Sequence, residues 1–83
     1  MLKWCVFDNC GMDEYIEAFE DLDSAINHAE YQWSMLTEND KKRRDSFFVG
    51  LANVEKCPDG WTFGELPNGD IDTDIHEIKR EFK

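Results

Sequence analysis

Basic side chains are scarce in this sequence, above all in its first half. Residues 1–40 contain ten acidic residues and a single base, Lys3, for a net charge of −9. Residues 41–56 contain five bases and two acids, for +3, and residues 57–83 contain seven acids and three bases, for −4. The whole chain therefore has a net charge of −10. A field of this sign repels nucleic acid and anionic membranes, and it speeds encounter with basic surfaces.

Long apolar runs are missing as well. No stretch approaches the roughly 20 apolar residues of a membrane span, and the start, MLKWCVFDNCG, is not typical of a cleavable signal. Cys5, Cys10 and Cys57 are odd in number and contain no C-x-x-C spacing, which disfavours a disulfide framework or a zinc site. With 41% hydrophobic residues the chain is too apolar for a disordered acidic tail. We expect one folded cytoplasmic domain over residues 1–83.

The residues of a catalytic centre are also few. Only two histidines occur, His28 on the solvent side of a predicted helix and His76 among acids, so neither is placed beside a nucleophile. The five glycines are scattered and form no phosphate-binding loop. We therefore expect a protein that is not an enzyme and needs no cofactor.

Alternation of apolar and polar residues predicts four strands. Leu2–Asp8 and Tyr15–Phe19 are typical of a hairpin, although the buried face of the second strand stays open. Ser46–Val54 is apolar on both faces, which favours a central strand. The turn residues Pro58-Asp59-Gly60 then lead into a partner strand over Trp61–Leu66.

Helical periodicity is strongest between Asp21 and Leu36. Asp21 is suited to cap this helix, and Asp23 lies in its first turn, where the helix dipole favours an anion. One apolar stripe faces the sheet, and two alanines within it allow close packing. The stripe consists of Leu22, Ala25, Ile26, Ala29, Trp33 and Leu36.

Two further segments complete the predicted fold. Thr37 is suited to cap a short helical turn through Lys41–Arg44. The spacing of Ile71, Ile75, Ile78 and Phe82 predicts a second helix, with an extended strand as the alternative. The prediction is an α+β fold in which a small antiparallel sheet has the order β-β-α-β-β-α and one long helix packs on one face.

Two charged clusters are candidate binding sites. Asp70, Asp72 and Asp74 match the first ligand positions of a calcium loop, but Ile75 stands where that loop needs glycine, which favours a capped helix start without a metal. The basic run Lys41–Arg44 is expected to serve local structure, by stabilising the end of the short helix and pairing with neighbouring acids at positions 40 and 45, rather than to bind nucleic acid.

The outer face of the long helix favours an interaction surface. Tyr31 and Met35 are one turn apart on this face, and tyrosine is a frequent interface anchor, although scattered surface apolar residues are also common. The acids around them complete the predicted partner-binding set. That set is Asp13, Glu14, Glu17, Glu20, Asp21, Asp23, Glu30, Tyr31 and Met35.

The spacing Ala25-x3-Ala29-x3-Trp33-x2-Leu36-Thr37, followed by a charged turn and a strand, resembles small proteins of bacterial and phage genomes. Small size, acidity and a compact α+β form are also similar to anti-CRISPR proteins and other DNA mimics. That resemblance implies an inhibitor that places carboxylates where phosphates would lie in a basic channel, with a nuclease or another nucleic-acid-binding protein as its partner. The alternative is a self-associating structural or accessory protein, a homodimer through Tyr31 and Met35 or through the edges of the short sheet, whose acidity only keeps it soluble.

Overall fold

Strand β3 (Ser46–Cys57) organises the sheet, because both of its edges are paired. In the computed structural model, which describes residues 1–83, β1 (Leu2–Cys10) runs antiparallel along one edge of β3. The second strand of the first hairpin, β2 (Asp13–Phe19), pairs with the far side of β1. The predicted hairpin and the predicted central strand are therefore confirmed.

The other edge of β3 is shared by two short strands. β4 (Gly60–Phe63) pairs with the end of β3 through the two-residue turn Pro58-Asp59. The predicted hairpin is present, but β4 begins at Gly60 and ends at Phe63, three residues before the predicted end at Leu66. β5 (Ile75–Glu81) pairs with the middle of β3, with register shifts that mark bulges. The result is an antiparallel, curled sheet of five strands.

Two helices connect β2 to β3. The long helix α1 (Leu22–Met35) starts at its predicted cap, Asp21, and the short helix α2 (Glu38–Arg43) starts at Thr37. The predicted cap at Thr37 is therefore confirmed, and the short helical turn that it opens is a second helix, which ends at Arg43. The expectation of one long helix alone is wrong in this respect, and the observed order is β-β-α-α-β-β-β.

The predicted C-terminal helix is wrong, and the extended alternative is correct. Its four apolar residues do not form one buried stripe. Ile71 and Ile78 are 56% and 51% exposed, whereas Ile75 and Phe82 pack against the clusters on opposite faces of the sheet. The backbone instead completes the open edge of β3, and Phe82 N–H donates to Phe47 C=O over 2.9 Å. Because unpaired backbone groups of a central strand are costly, this pairing outweighs a weak helical periodicity.

The sheet buries apolar residues on both faces. On one face Ala25 and Ala29 of α1 pack against Val6 and Val49 with no exposed surface of their own, which confirms the predicted stripe. Helix α1 covers only this face. Its closest approach depends on the two alanines, since larger side chains would hold the helix away from the strands.

The opposite face is covered because the sheet curls over it. Phe7 is the centre of this second cluster, stacked on Phe48 at 4.8 Å and on Phe63 of β4 at 6.0 Å. Ile16 of β2 and Trp61 of β4 pack against the same cluster from its two sides. Curling therefore buries a face that no helix covers. In the strand order, β2 is the outermost strand next to β1.

Candidate protein-interaction surface

Strand β2 carries three acidic side chains that have no cation partner. Asp13, Glu14 and Glu17 are exposed, and none takes part in any of the ion pairs of the structure. Glu17 pairs across the strands with Val6, which belongs to the helix-side core, so Glu17 and Asp13 lie on the α1 side of the sheet. At the usual rise of a strand they are about 13 Å apart. Glu14 faces the opposite side at the same edge.

The flank of α1 that carries Tyr31 and Met35 faces β2. His28 packs against Phe19 of β2 with ring centroids 5.0 Å apart, and Tyr31 and Met35 follow His28 at helical spacings of three and seven. Both predicted anchors are open to solvent, at 65% and 67% exposure. His28 itself is half-buried, so its predicted solvent position is wrong. Its imidazole ring packs against Phe19 of the edge strand β2.

Tyr15 adds a third exposed anchor that the sequence analysis left out. It stands between Asp13 and Glu17 on the same face of β2 and is 65% exposed. Together with Glu17 and Gln32 it lines a cavity of about 180 Å³ between β2 and α1. The alternation of Tyr15 with two acids is the signal that would have placed it on a solvent-facing strand surface. We call Asp13, Glu14, Tyr15, Glu17, Tyr31 and Met35 the β2 surface.

Two of the predicted acids are already paired with cations of the same chain. Glu20 accepts from Lys3 over 2.6 Å, and Glu30 lies 3.0 Å from Arg80. Since Arg80 belongs to β5, Glu30 lies on the flank of α1 away from β2. These two carboxylates are therefore partly neutralised and do not extend the β2 surface.

The remaining two predicted acids stand at the start of α1. Asp21 accepts a hydrogen bond from the Ser24 backbone N–H over 2.7 Å, and this bond lowers the pKa of Asp21 below its ordinary value of 3.8. Asp23 is exposed in the first turn of the helix. Their positions relative to the helix dipole give both a role in helix stability as well as in surface charge.

The basic run is fixed to the fold by ion pairs other than the predicted ones. Arg44 donates to Asp8 through Nε (2.9 Å) and a terminal nitrogen (3.4 Å), and both side chains are more than four-fifths buried. Lys41 lies 3.8 Å from Glu38. The local role expected for the run is thus present, but its carboxylate partners come from β1 and the start of α2, not from positions 40 and 45.

The carboxylates that resemble a calcium loop do not converge. Asp70 accepts from Asn68, whereas Asp72 is 7% exposed and accepts from Asn53 Nδ2 (3.3 Å) and from the backbone N–H of Asp74. No group of three His, Cys, Asp or Glu side chains in the chain is arranged to hold a metal ion. Asp72 instead fastens the loop before β5 to β3.

Comparison of the chain with protein-family models, with curated proteins and with solved structures finds no match. Neither helix is long and apolar enough to cross a bilayer. Inference about function therefore depends on the chemistry of the surfaces described above.

Proposed function

We propose that this is a non-enzymatic binding protein whose β2 surface covers a basic site on another protein. The observation that supports it is the combination, on one edge strand, of three exposed carboxylates without internal cation partners and an exposed tyrosine between them. Exposed Tyr31 and Met35 on the adjoining flank of α1 extend the same surface.

Fixed carboxylates suit this task better than a flexible acidic tail. A strand fixes the backbone that carries its charges, so on binding only the side chains lose conformational freedom. Unpaired acids also attract basic partners over about one Debye length, 8–10 Å. Encounter is further accelerated by the net charge of −10.

The spacing of the charges defines the kind of target. Carboxylates about 13 Å apart are much sparser than the phosphates of duplex DNA, which supply one charge per about 1.7 Å of axis. Charge alone is therefore insufficient, and tyrosine and methionine supply buried area at the centre of the interface. The target is a basic surface with an apolar pocket, such as the nucleic-acid groove of a nuclease, which the protein would inhibit by occlusion as anti-CRISPR proteins do.

The test compares two triple variants with the same net charge. One neutralises β2 (Asp13→Asn, Glu14→Gln, Glu17→Gln). The matched control neutralises three other exposed acids that have no ion-pair partner. These are Glu55, Asp59 and Glu65, changed to Gln, Asn and Gln.

Each immobilised protein is used for affinity capture from the native host at two salt concentrations. The proposal expects nucleic-acid-binding proteins on the wild type and on the control, lost on the β2 variant, weakened by salt and displaced by added DNA. Equal capture by both triple variants would contradict a specific role for β2 and leave only non-specific acidity.

Self-association is the second candidate, because Tyr31 and Met35 form an exposed apolar pair on one helix flank. Light scattering after size-exclusion chromatography decides between the two. A stable dimer that becomes monomeric on Tyr31→Ala supports a homodimer, whereas a monomeric wild-type protein excludes it at the concentration measured.

A further inference from the structure

The largest cavity of the molecule lies away from β2, between α2, the end of α1 and the last residues of the chain. It measures about 550 Å³, within the usual range of small-molecule sites. Three aromatic side chains and four basic ones line it. In a chain with nine bases and nineteen acids, this concentration of cations in one cleft is unusual. We call this cavity the α2 cleft.

Its aromatic wall is held in place by mutual packing. Trp33, Phe47 and Phe82 form a triangle with ring-centroid distances of 5.3, 5.8 and 5.4 Å. Phe47 is 2% exposed and fixed in β3, whereas Trp33 and Phe82 are half-buried and contribute to the surface of the cleft. Cations of the same chain lie close to two of these rings: Lys41 Nζ is 5.2 Å from the Trp33 centroid, and the Arg80 guanidinium carbon is 4.6 Å from the Phe82 centroid. A flat ligand would pack on the ring surface that these two side chains leave open.

Its basic side chains differ in how free they are. Arg44 is committed to Asp8, but Lys42 has no ion pair, and the nearest carboxylate to Lys41 is the exposed Glu38, 3.8 Å away. Lys41 Nζ also lies 5.2 Å from the centroid of the Trp33 ring, so this ammonium group is adjacent to the aromatic wall.

Two acids also line the cleft, and they limit its charge. Asp45 accepts a hydrogen bond from the Gly11 backbone N–H over 3.0 Å, which ties it to the first hairpin, and Glu38 lies beside Lys41. A small anion would compete with Glu38 for Lys41 and would bind Lys42 directly.

We propose that the α2 cleft binds a small anion that carries a flat ring, of the nucleoside monophosphate class. Its phosphate is held by Lys41 and Lys42, and its ring packs against Trp33 and Phe82. A polynucleotide is not the ligand, because the surrounding net charge of −10 repels a polyanion, whereas one phosphate interacts with two lysines at short range. This site is separate from the β2 surface and does not depend on its function.

The experiment titrates ¹⁵N-labelled protein with adenosine monophosphate, adenosine and ribose 5-phosphate, followed by NMR. We expect saturable shifts centred on the Trp33 indole N–H, with a Kd for the nucleotide below about 1 mM. The nucleoside and the sugar phosphate should each bind at least about tenfold more weakly, since each makes only one of the two kinds of contact.

The variant Lys41→Ala/Lys42→Ala should weaken nucleotide binding by at least about tenfold. The matched control, Lys56→Ala/Lys79→Ala, removes the same charge elsewhere and includes a lysine that lies 5.2 Å from the Trp61 ring, so it should bind within about twofold of wild type. Thermal melting verifies that both variants fold.

Three results would overturn the proposal. They are no saturable shift at about 10 mM nucleotide, shifts centred on Trp61 instead of Trp33, and equal binding of nucleotide and ribose 5-phosphate. Because shift mapping uses the wild-type protein, the proposal stays testable even if the double lysine variant does not fold.

Discussion

Replacement of Gly50 by alanine should destabilise the protein, and the sign of the change is informative. Gly50 is buried in β3, where it pairs with Ile78 of the neighbouring strand β5. A Cβ at this position would lie 2.9 Å from the backbone oxygen of Glu77 and 3.0 Å from Ile75 Cγ2. The carbonyl belongs to the paired β5 backbone, so it cannot move away without loosening the strand.

The magnitude follows from two opposing effects. Gly→Ala at an unstrained site stabilises by about 0.4–1 kcal/mol through the unfolded chain, whereas overpacking a buried site costs about 1–3 kcal/mol. A domain of this length has a free energy of unfolding on the order of 4–12 kcal/mol. The balance of the two effects is a loss of roughly 1–2 kcal/mol from the free energy of unfolding.

Urea unfolding followed by tryptophan fluorescence measures the loss, and hydrogen exchange locates it. The urea midpoint should fall by about 1 M. Amide protection should decrease first in β5, while the β1–β2 hairpin keeps its protection. A midpoint equal to or above that of wild type, or loss of protection confined to β1 and β2, would show that the space above Gly50 is not limiting.

Three further predictions concern ionisable side chains. Asp21→Ala should lower the urea midpoint at pH 7. Because the folded pKa of Asp21 lies below 3.8, the part of this difference that comes from the aspartate charge should be lost as the pH falls through that folded pKa. A difference independent of pH would show that the charge does not contribute to the cap. Burial raises the pKa of Cys5 to about 11, against a smaller opposing effect of Lys3. Iodoacetamide at pH 8 should therefore label the other two thiols before Cys5, and mass spectrometry measures the order. Equal labelling of Cys5 would argue against its burial. Arg44→Met should lower the free energy of unfolding by about 1–3 kcal/mol, because it leaves the Asp8 carboxylate without its partner. In a double-mutant cycle, adding Asp8→Asn should recover part of that loss. Purely additive losses would mean that the two side chains are not coupled.

The exposure of several residues of the candidate surface was predicted from the sequence. Helical periodicity placed Tyr31 and Met35 opposite the buried stripe, and both are exposed. The density of acids in residues 13–23 placed the negative charge near β2 and the start of α1. Periodicity and composition are enough here because they depend on neighbours within one or two turns.

The sequence did not predict which acids have a cation partner and which have none, because the pairing depends on long-range contacts. Glu20 meets Lys3 from 17 residues away, and Glu30 meets Arg80 on β5, which the sequence assigned to a helix. The residue pattern of one segment contains no information about which cation of another segment will contact its carboxylates. The candidate surface is consequently narrower than predicted, and it includes Tyr15.

The sequence by itself determined the elements whose signals are local. Asp21 and Thr37 cap the two helices through hydrogen bonds to backbone groups three residues later, and Pro58-Asp59 closes a hairpin between adjacent strands. Only the tertiary structure decided whether residues 75–81 form a helix or a strand. Residues 75–81 form a strand because the free edge of β3 needs backbone partners, and this pairing outweighs a helical pattern of only four apolar residues. The strand also lets Ile75 and the adjoining Phe82 pack against the clusters on the two faces of the sheet.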